Sequence, residues 1–316
     1  MDVTVIIVTY ANRFSLLNRV VEVCLKSGVN DIVVVDNNSD KSSVDQLKTM
    51  EREKPNMHII WNSLNLGSAK AFKQGLQFAQ KLPNSFIWLL DDDNQPEENA
   101  LNNLKAFWVG KSNDVKCLLA YRPDREQYKN AIELDQQDLI LGKKNSFSGF
   151  HIFDKLHKLF PVKMAKPNLE RSGKIPYAPY GGMFFEKDLL ETIGMPNEDL
   201  FLYADDHDWS YRITKKGYKI MLILDAVIQD IDTSWSVKNK GSYFRNIRTA
   251  PAIRVYYSIR NRMIFERDNL VTNQILYALN FWLFKFFMMI FNYRNSNYKV
   301  FLRAVRDAKT NNLAKY

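Results

Sequence analysis

Residues 86–94 read FIWLLDDDN, five apolar residues followed by three acids and an amide. An apolar run that does not alternate is what a strand buried on both faces requires. Three adjoining carboxylates repel one another unless cations hold them. On an extended chain Asp91 and Asp93 point one way and Asp92 the other. That spacing makes Asp91 and Asp93 two hard oxygen ligands for Mg2+ or Mn2+ bridging a diphosphate. The plainer alternative is a solvated acidic turn ahead of the helix that follows Pro96.

Upstream the same pattern repeats. Apolar runs at 3–8 (VTVIIV), 31–39 (DIVVVDNNS) and 58–62 (HIIWN) alternate with helical spacing over 14–27, 42–53 and 68–81, and a fourth helix is expected over 97–109. This βαβαβαβα order predicts an α/β fold with a Rossmann-like, mostly parallel sheet flanked by helices. In such sheets ligands sit at the carboxyl ends of the strands. The polar clusters occur there: Thr9-Tyr10-Ala11-Asn12, Asp36 to Ser39, Asn62 to Gly67, and Asp91 to Asn94. Asp36 can accept a hydrogen bond from a base N–H or a ribose hydroxyl. The turn Asn65-Leu66-Gly67-Ser68-Ala69 with Lys70 is either an ordinary loop or a cradle of backbone N–H groups and a cation for phosphates.

Residues 111–176 are less regular, with strand-like pieces near 115–121 and 147–153 and prolines at 161, 167 and 176. A helix is expected to begin near Asp205, where Asp205-Asp206-His207-Asp208 forms a second acid cluster. One of these carboxylates suits the task of taking a proton from an attacking hydroxyl, and Asp206 is the preferred one. Asp208 is better read as the i,i+4 partner of Arg212.

The chain has 316 residues, with 44 Lys/Arg against 35 Asp/Glu. From Lys240 onward, 14 basic residues meet only Glu266, Asp268 and Asp307, so this segment carries 14 − 3 = +11 while the remainder is near neutral. A basic tail on a neutral body points to an anionic partner. Two distant cysteines, Cys24 and Cys117, and four scattered histidines exclude a disulfide framework and a Cys-based zinc site. The start, MDVTVIIVTYANR, lacks a signal-peptide pattern, and these features suit a reducing cytosol. Residues 277–291 (YALNFWLFKFFMMIF) are short of the ~20 needed to span a bilayer, and 298–309 forms a basic amphipathic helix. A buried helix, in-plane membrane contact and an oligomer interface all remain open for this region.

Six segments in order, VIIVTYANR, VVVDNNS, NLGSAKAFKQG, LLDDDN, YGGMFFEK and LYADDHDWSYRITKKGY, resemble family 2 glycosyltransferases with the GT-A fold. The resemblance implies a catalytic domain over 1–235, with a nucleotide-binding half to about 110 and an acceptor half after it, and a basic, aromatic-rich helical region over 236–316. It places the donor nucleotide at Thr9, Tyr10, Asn12 and Asp36, with Asn65, Lys70, Asp91 and Asp92 on the nucleotide sugar. Asp91 and Asp93 become the metal-binding DxD, and the catalytic base falls on Asp206. Gly181, Gly182, Asp205 and Trp209 line the acceptor. Many relatives carry a metal-binding His after the next strand; here the stretch reads AVIQDIDTSW, so Asp230, or failing it Asp232, takes that place. RVYYSIRNRMIF (254–265) resembles the YYxxRN element of galactofuranosyl- and rhamnosyltransferase-like members and sets Arg260 toward a diphosphate.

The implied activity is an inverting, Mn2+- or Mg2+-dependent transfer of a sugar, galactofuranose from UDP-galactofuranose before rhamnose or another hexose. The implied acceptor is a hydroxyl of a bacterial surface-polysaccharide or lipid-linked glycan. The implied location is cytoplasmic, peripheral at the inner membrane face through 277–309, with self-association open. A nucleotide- or sugar-binding module without turnover is the rival of another class. A nucleotidyltransferase is disfavoured by the TYANR loop, and a nucleic-acid partner by the acidic sheet edge.

Overall fold

A computed structural model of the protein describes residues 1–153, 170–232 and 243–316. The first half follows the expected alternation. Strands β1 (Val3–Ala11), β2 (Asp31–Ser39), β3 (Met57–Asn62) and β4 (Phe86–Asp91) are separated by helices α1 (Phe14–Lys26), α2 (Lys41–Glu53) and α3 (Ser68–Ala79). All three pairings among these strands are parallel, in the order β3-β2-β1-β4. Helix α4 (Ala100–Gly110) follows a short strand β5 (Asn94–Pro96).

The second half is mixed. Strands β6 (Val115–Tyr121), β7 (Ser172–Ile175), β8 (Met183–Glu186) and β9 (Lys219–Asp230) extend the sheet as β4-β8-β6-β9. β8 runs antiparallel to both β4 and β6, whereas β6 and β9 are parallel. β5 pairs antiparallel with the end of β9, setting Asn94 opposite Asp230. Short helices α5 (Glu126–Glu133), α6 (Asp138–Leu141) and α7 (Leu189–Ile193) precede α8 (Asp205–Lys215), and the chain ends with α9 (Tyr243–Thr249), α10 (Ala252–Asn269), α11 (Gln274–Asn292) and α12 (Ser296–Lys309). The stretch 147–153 does not form the expected strand: only an isolated bridge joins Phe147 to Phe150, and both rings turn into the core of the C-terminal helices. Pro161, Pro167 and the expected boundary near 235 lie outside the described residues.

Strand alternation sorts the core into two layers. Val5, Ile7, Val34, Trp88 and Leu90 face α1, α2 and α4 on one side. Ile6, Val33, Ile87 and Leu89 face α3, α7 and α8 on the other. Each such side chain contributes roughly 1.5–3 kcal/mol by leaving water, and non-alternating apolar strands are the consequence of covering both faces. A third cluster joins α10, α11 and α12, and the loop residues Phe201, Leu202 and Tyr203 pack against it.

The layering decides where the acids go. Asp91 continues the parity of Ile87 and Leu89, so it points to the α3/α8 side, the side on which Asp206 opens a helix. The strand ends at Asp91 and the chain turns through Asp92 and Asp93. The expectation that Asp93 shares the direction of Asp91 through strand alternation is therefore corrected: Asp93 is positioned by the turn and by the β5–β9 pairing, with Ile231 N–H donating to the Asp93 carbonyl (2.9 Å).

Candidate active site

Asp91 and Asp206 line one cavity of about 540 Å3. Its walls come from Ser68 on α3, Arg125 and Tyr128 around α5, the Tyr177–Tyr180 segment, the 202–207 stretch and Arg254 on α10. Burial pushes the Asp91 carboxyl above its usual range, while Arg122 and Arg125 pull it down and Asp206 and Asp230 push it up. The two acid clusters thus sense each other across the cavity.

The loop before α8 is built under strain. Phe201, Tyr203 and Ala204 have φ of 65°, 62° and 61°, a region that costs non-glycine residues about 1–3 kcal/mol each and persists only where the surroundings impose it. The imposing groups are on α10. The Asn261 side-chain amide, 1% exposed, stands at hydrogen-bond distance from the carbonyls of Leu200 (2.8 Å), Leu202 (2.9 Å) and Tyr203 (2.8 Å). Arg260 donates to the carbonyls of Asp199, Leu200 and Ala314 and to the Asn261 side-chain oxygen. From the other side, Gly67 (φ 80°) packs so tightly that a Cβ would collide with the Phe201 carbonyl, and Ser68 Oγ donates to Asp205 (2.8 Å).

The two acids of the pair end in different places. Asp205 is 2% exposed, and its carboxyl is held well above the usual range by burial, with the neighbouring Asp206 charge adding to the shift. Asp206 is partly open to the cavity, and its Oδ1 accepts from His207 N–H (2.8 Å). His207 stacks on Tyr177 with ring centroids 4.0 Å apart, and burial lowers its pKa. Asp208 forms the expected pair with Arg212 (2.8 Å).

On the nucleotide side, Asp92 turns away from Asp91. It accepts from Thr9 Oγ1 (2.8 Å) and from Arg13 Nε (2.9 and 3.0 Å) and is 2% exposed. Arg13 also reaches Asp93 and Asp232 (2.6 Å each). Sequence reading missed Arg13, although three adjoining acids demand a nearby cation. Asp36 is buried and accepts from Ser39 N–H (3.0 Å), and burial raises its pKa. Tyr10 and Asn12 are exposed at the end of β1.

Several expected contacts are corrected. The Thr9 hydroxyl donates to Asp92, which also accepts from Arg13, and both side chains are buried. The Asn65 side chain is spent on Asn37 and on Gly67 N–H, while the N–H groups of Leu66 and Ala69 are taken by Asn37 and the Phe201 carbonyl. Lys70 pairs with Glu198 (2.8 Å). This turn braces the 201–205 loop and offers no phosphate cradle. Gly182 is stitched into the sheet, donating to the Leu89 carbonyl and accepting from Ala120 N–H. Trp209 is fully buried and donates to the Gly194 carbonyl. Arg260 is fully buried and faces no diphosphate. Asp205 accepts from Ser68 Oγ and braces the wall of the cavity. Gly181 keeps a place beside the acids: a Cβ there would collide with the Asn94 side chain and stand 2.7 Å from Asp91 Oδ2.

Whether these residues suit a divalent cation can be tested on the geometry. Among the described residues no group of three or more His, Cys, Asp or Glu side chains is gathered to hold a metal. Asp230, the expected substitute ligand, is taken by Arg122 (2.6 Å), and Asp93 by Arg13. The donors available are oxygen only, with Asp91 facing the cavity. That set fits a cation held by one or two carboxylates with its remaining sites filled by phosphate oxygens, as hard cations commonly are; it does not form a closed cage.

A sheet that is parallel through its first half, with a cleft at its strand ends and acids from two distant segments, is the GT-A fold. Likeness to solved structures bears out that fold. The mannosyltransferase PcManGT from Pyrobaculum calidifontis, in complex with GDP-Man and Mn2+, aligns with a TM-score of 0.55 at 15% identity over 98% of this chain and 75% of its own. GalNAc-T7 with UDP, GalNAc and Mn2+ aligns at 0.54 and 15%, over 98% of this chain and 57% of its own. The model of Glycosyl transferase family 2 matches residues 4–194, and the dTDP-rhamnosyl transferase RfbF of Shigella flexneri is 24% identical over 268 residues, 85% of this chain and 81% of that relative. The chain belongs to glycosyltransferase family 2 and is a glycosyltransferase.

Proposed function

We propose that the protein transfers a hexosyl group, rhamnose from a dTDP-linked donor, to a glycan hydroxyl with inversion at the anomeric carbon. The observation that carries this reading is the single cavity bounded by Asp91 at the end of β4 and Asp206 at the start of α8. Asp206 accepts the proton of the acceptor hydroxyl as that oxygen attacks from the face opposite the departing nucleoside diphosphate. One base on one face suffices, and no sugar–enzyme bond is needed. Asp91, which faces the cavity, and Asp93, once it gives up Arg13, are the residues that would hold a divalent cation, which when bound would neutralise charge growing on the leaving diphosphate. Rhamnose is preferred to galactofuranose because the sequence relative is a dTDP-rhamnosyl transferase. A screen of dTDP-rhamnose, UDP-galactofuranose, UDP-galactose and GDP-mannose with Mn2+ or Mg2+, reading released nucleotide, should show turnover of dTDP-rhamnose that a chelator abolishes. Turnover of another donor alone replaces the sugar; undiminished turnover in chelator removes the cation.

We also propose a peripheral position at a membrane surface. Among the described residues one helix, α11, has the length and hydropathy of a membrane span. Yet Tyr277, Phe281, Phe284 and Met288 on one face are packed in the core. The opposite face exposes Ile275, Leu279, Trp282, Phe286 and Ile290, while α12 exposes Lys299, Arg303, Arg306 and Lys309. An apolar stripe beside cations suits in-plane contact with anionic lipid. The double variant Trp282→Ser/Phe286→Ser should co-sediment with phosphatidylglycerol vesicles several-fold less than the wild type; equal sedimentation refutes this contact.

A further inference from the structure

Most arginines near the site are committed. Arg13, Arg122, Arg212 and Arg262 each hold a carboxylate, and Arg260 holds backbone carbonyls. Two are different. Arg125, just before α5, and Arg254, in the first turn of α10, both line the cavity that contains Asp91 and Asp206. Arg254 lies over the Tyr203 ring at 5.8 Å. Among the described residues neither guanidinium has an ion pair or a side-chain hydrogen bond, although each carries five N–H donors. They reach the cavity from separate elements, one from the sheet half and one from the C-terminal helices.

The cavity wall includes Asp91 and Asp206 but not Thr9, Asp36, Asp92 or Asp93. It therefore runs from the leaving-group acid away from the nucleotide residues, toward the side from which a hydroxyl would approach. A neutral sugar needs no such cations above an acid pair; a phosphate does, and planar guanidinium forks match phosphate oxygens well. We infer that Arg125 and Arg254 form an anion site for a phosphate or diphosphate carried by the acceptor, so that the acceptor is a phospho-linked glycan. This deepens the assignment of Asp206 as base and rests on it only for which side of the cleft is the acceptor's.

The test reads binding, so it is independent of turnover. Calorimetric titration with decyl diphosphate, decyl maltoside and dTDP is run on the wild type, Arg125→Ala, Arg254→Ala and Arg254→Lys, with folding checked by thermal melts. The wild type should bind decyl diphosphate at least about tenfold more tightly than decyl maltoside. Each alanine variant should lose about ten- to hundredfold of the diphosphate affinity, the scale of one charge-assisted contact; Arg254→Lys should keep part of it, and dTDP affinity should stay within twofold. Three results overturn the inference. One is equal binding of the diphosphate and the maltoside by the wild type. Another is a loss of dTDP affinity with the diphosphate unaffected, which gives these cations to the donor. The third is weaker co-sedimentation with phosphatidylglycerol vesicles at unchanged decyl diphosphate affinity, which makes them a headgroup contact. Failure of the proposed transfer itself would show instead as an Asp206→Asn variant with unimpaired activity.

Discussion

Asp206→Asn should lower the rate of sugar transfer by about 10^2 to 10^4, the usual contribution of a positioned general base, while nucleotide affinity stays within about twofold. The substituted amide keeps the shape of the side chain and can still accept from His207 N–H, the one hydrogen bond given to Asp206 Oδ1. What it loses is the ability to take a proton. Asp205 supplies the contrast. Its carboxyl is buried, burial raises its pKa, and it accepts from Ser68 Oγ, so Asp205→Asn keeps the outline of the side chain and an oxygen that can still accept from Ser68. It should keep transfer within about tenfold of the wild type. Steady-state kinetics with both variants decide the assignment. If Asp206→Asn transfers as fast as the wild type, or if Asp205→Asn is the more damaged of the two, the base has been assigned to the wrong carboxylate.

The contrast between these neighbours was not legible in the chain. Both are acids at a helix start, and only the packing of α3 against the 201–205 loop turns one inward. The sheet was more open to reading. VTVIIV, DIVVV and FIWLL are apolar at both parities, which two covered faces require, and the parity of Leu89 carries directly to Asp91 and hence to the cavity. Reading failed where the chain left the strand. Asp93 lies past the last extended residue, so alternation no longer governs it, and its position depends on a strand more than a hundred residues later. Arg13 escaped notice because its meaning depends on Asp92, Asp93 and Asp232, 79 to 219 positions away. The signal for Arg260 and Asn261 was present. They sit between Tyr256, Tyr257, Ile259, Met263 and Phe265, all buried. Polar side chains inside such an apolar stripe must find internal partners, which argues against a solvated or ligand-facing role.

Asn261→Ala carries the second large effect, and it acts at a distance from the chemistry. Removing the amide leaves the carbonyls of Leu202 and Tyr203 without this donor in a buried setting, while Leu200 keeps Arg260, at a cost of about 1–3 kcal/mol in stability. It also removes the reason for Phe201, Tyr203 and Ala204 to stay in the left-handed region, and Ala204 immediately precedes the helix that presents Asp206. A displacement of about 1 Å at a reacting group can cost about 10^2 in rate. The expected outcome is therefore a split: kcat falls by about 10^2, and the donor KM changes by less than about threefold, because Asp36 and the β1–β2 strand ends share no contact with Asn261. A lower melting temperature alone would accompany any lost buried hydrogen bond; the selective fall in kcat, measured where the variant is still folded, is what a positioning residue produces. Were Asn261→Ala to melt earlier yet turn over at the wild-type rate, the strained loop would be holding Asp206 in place without help from α10.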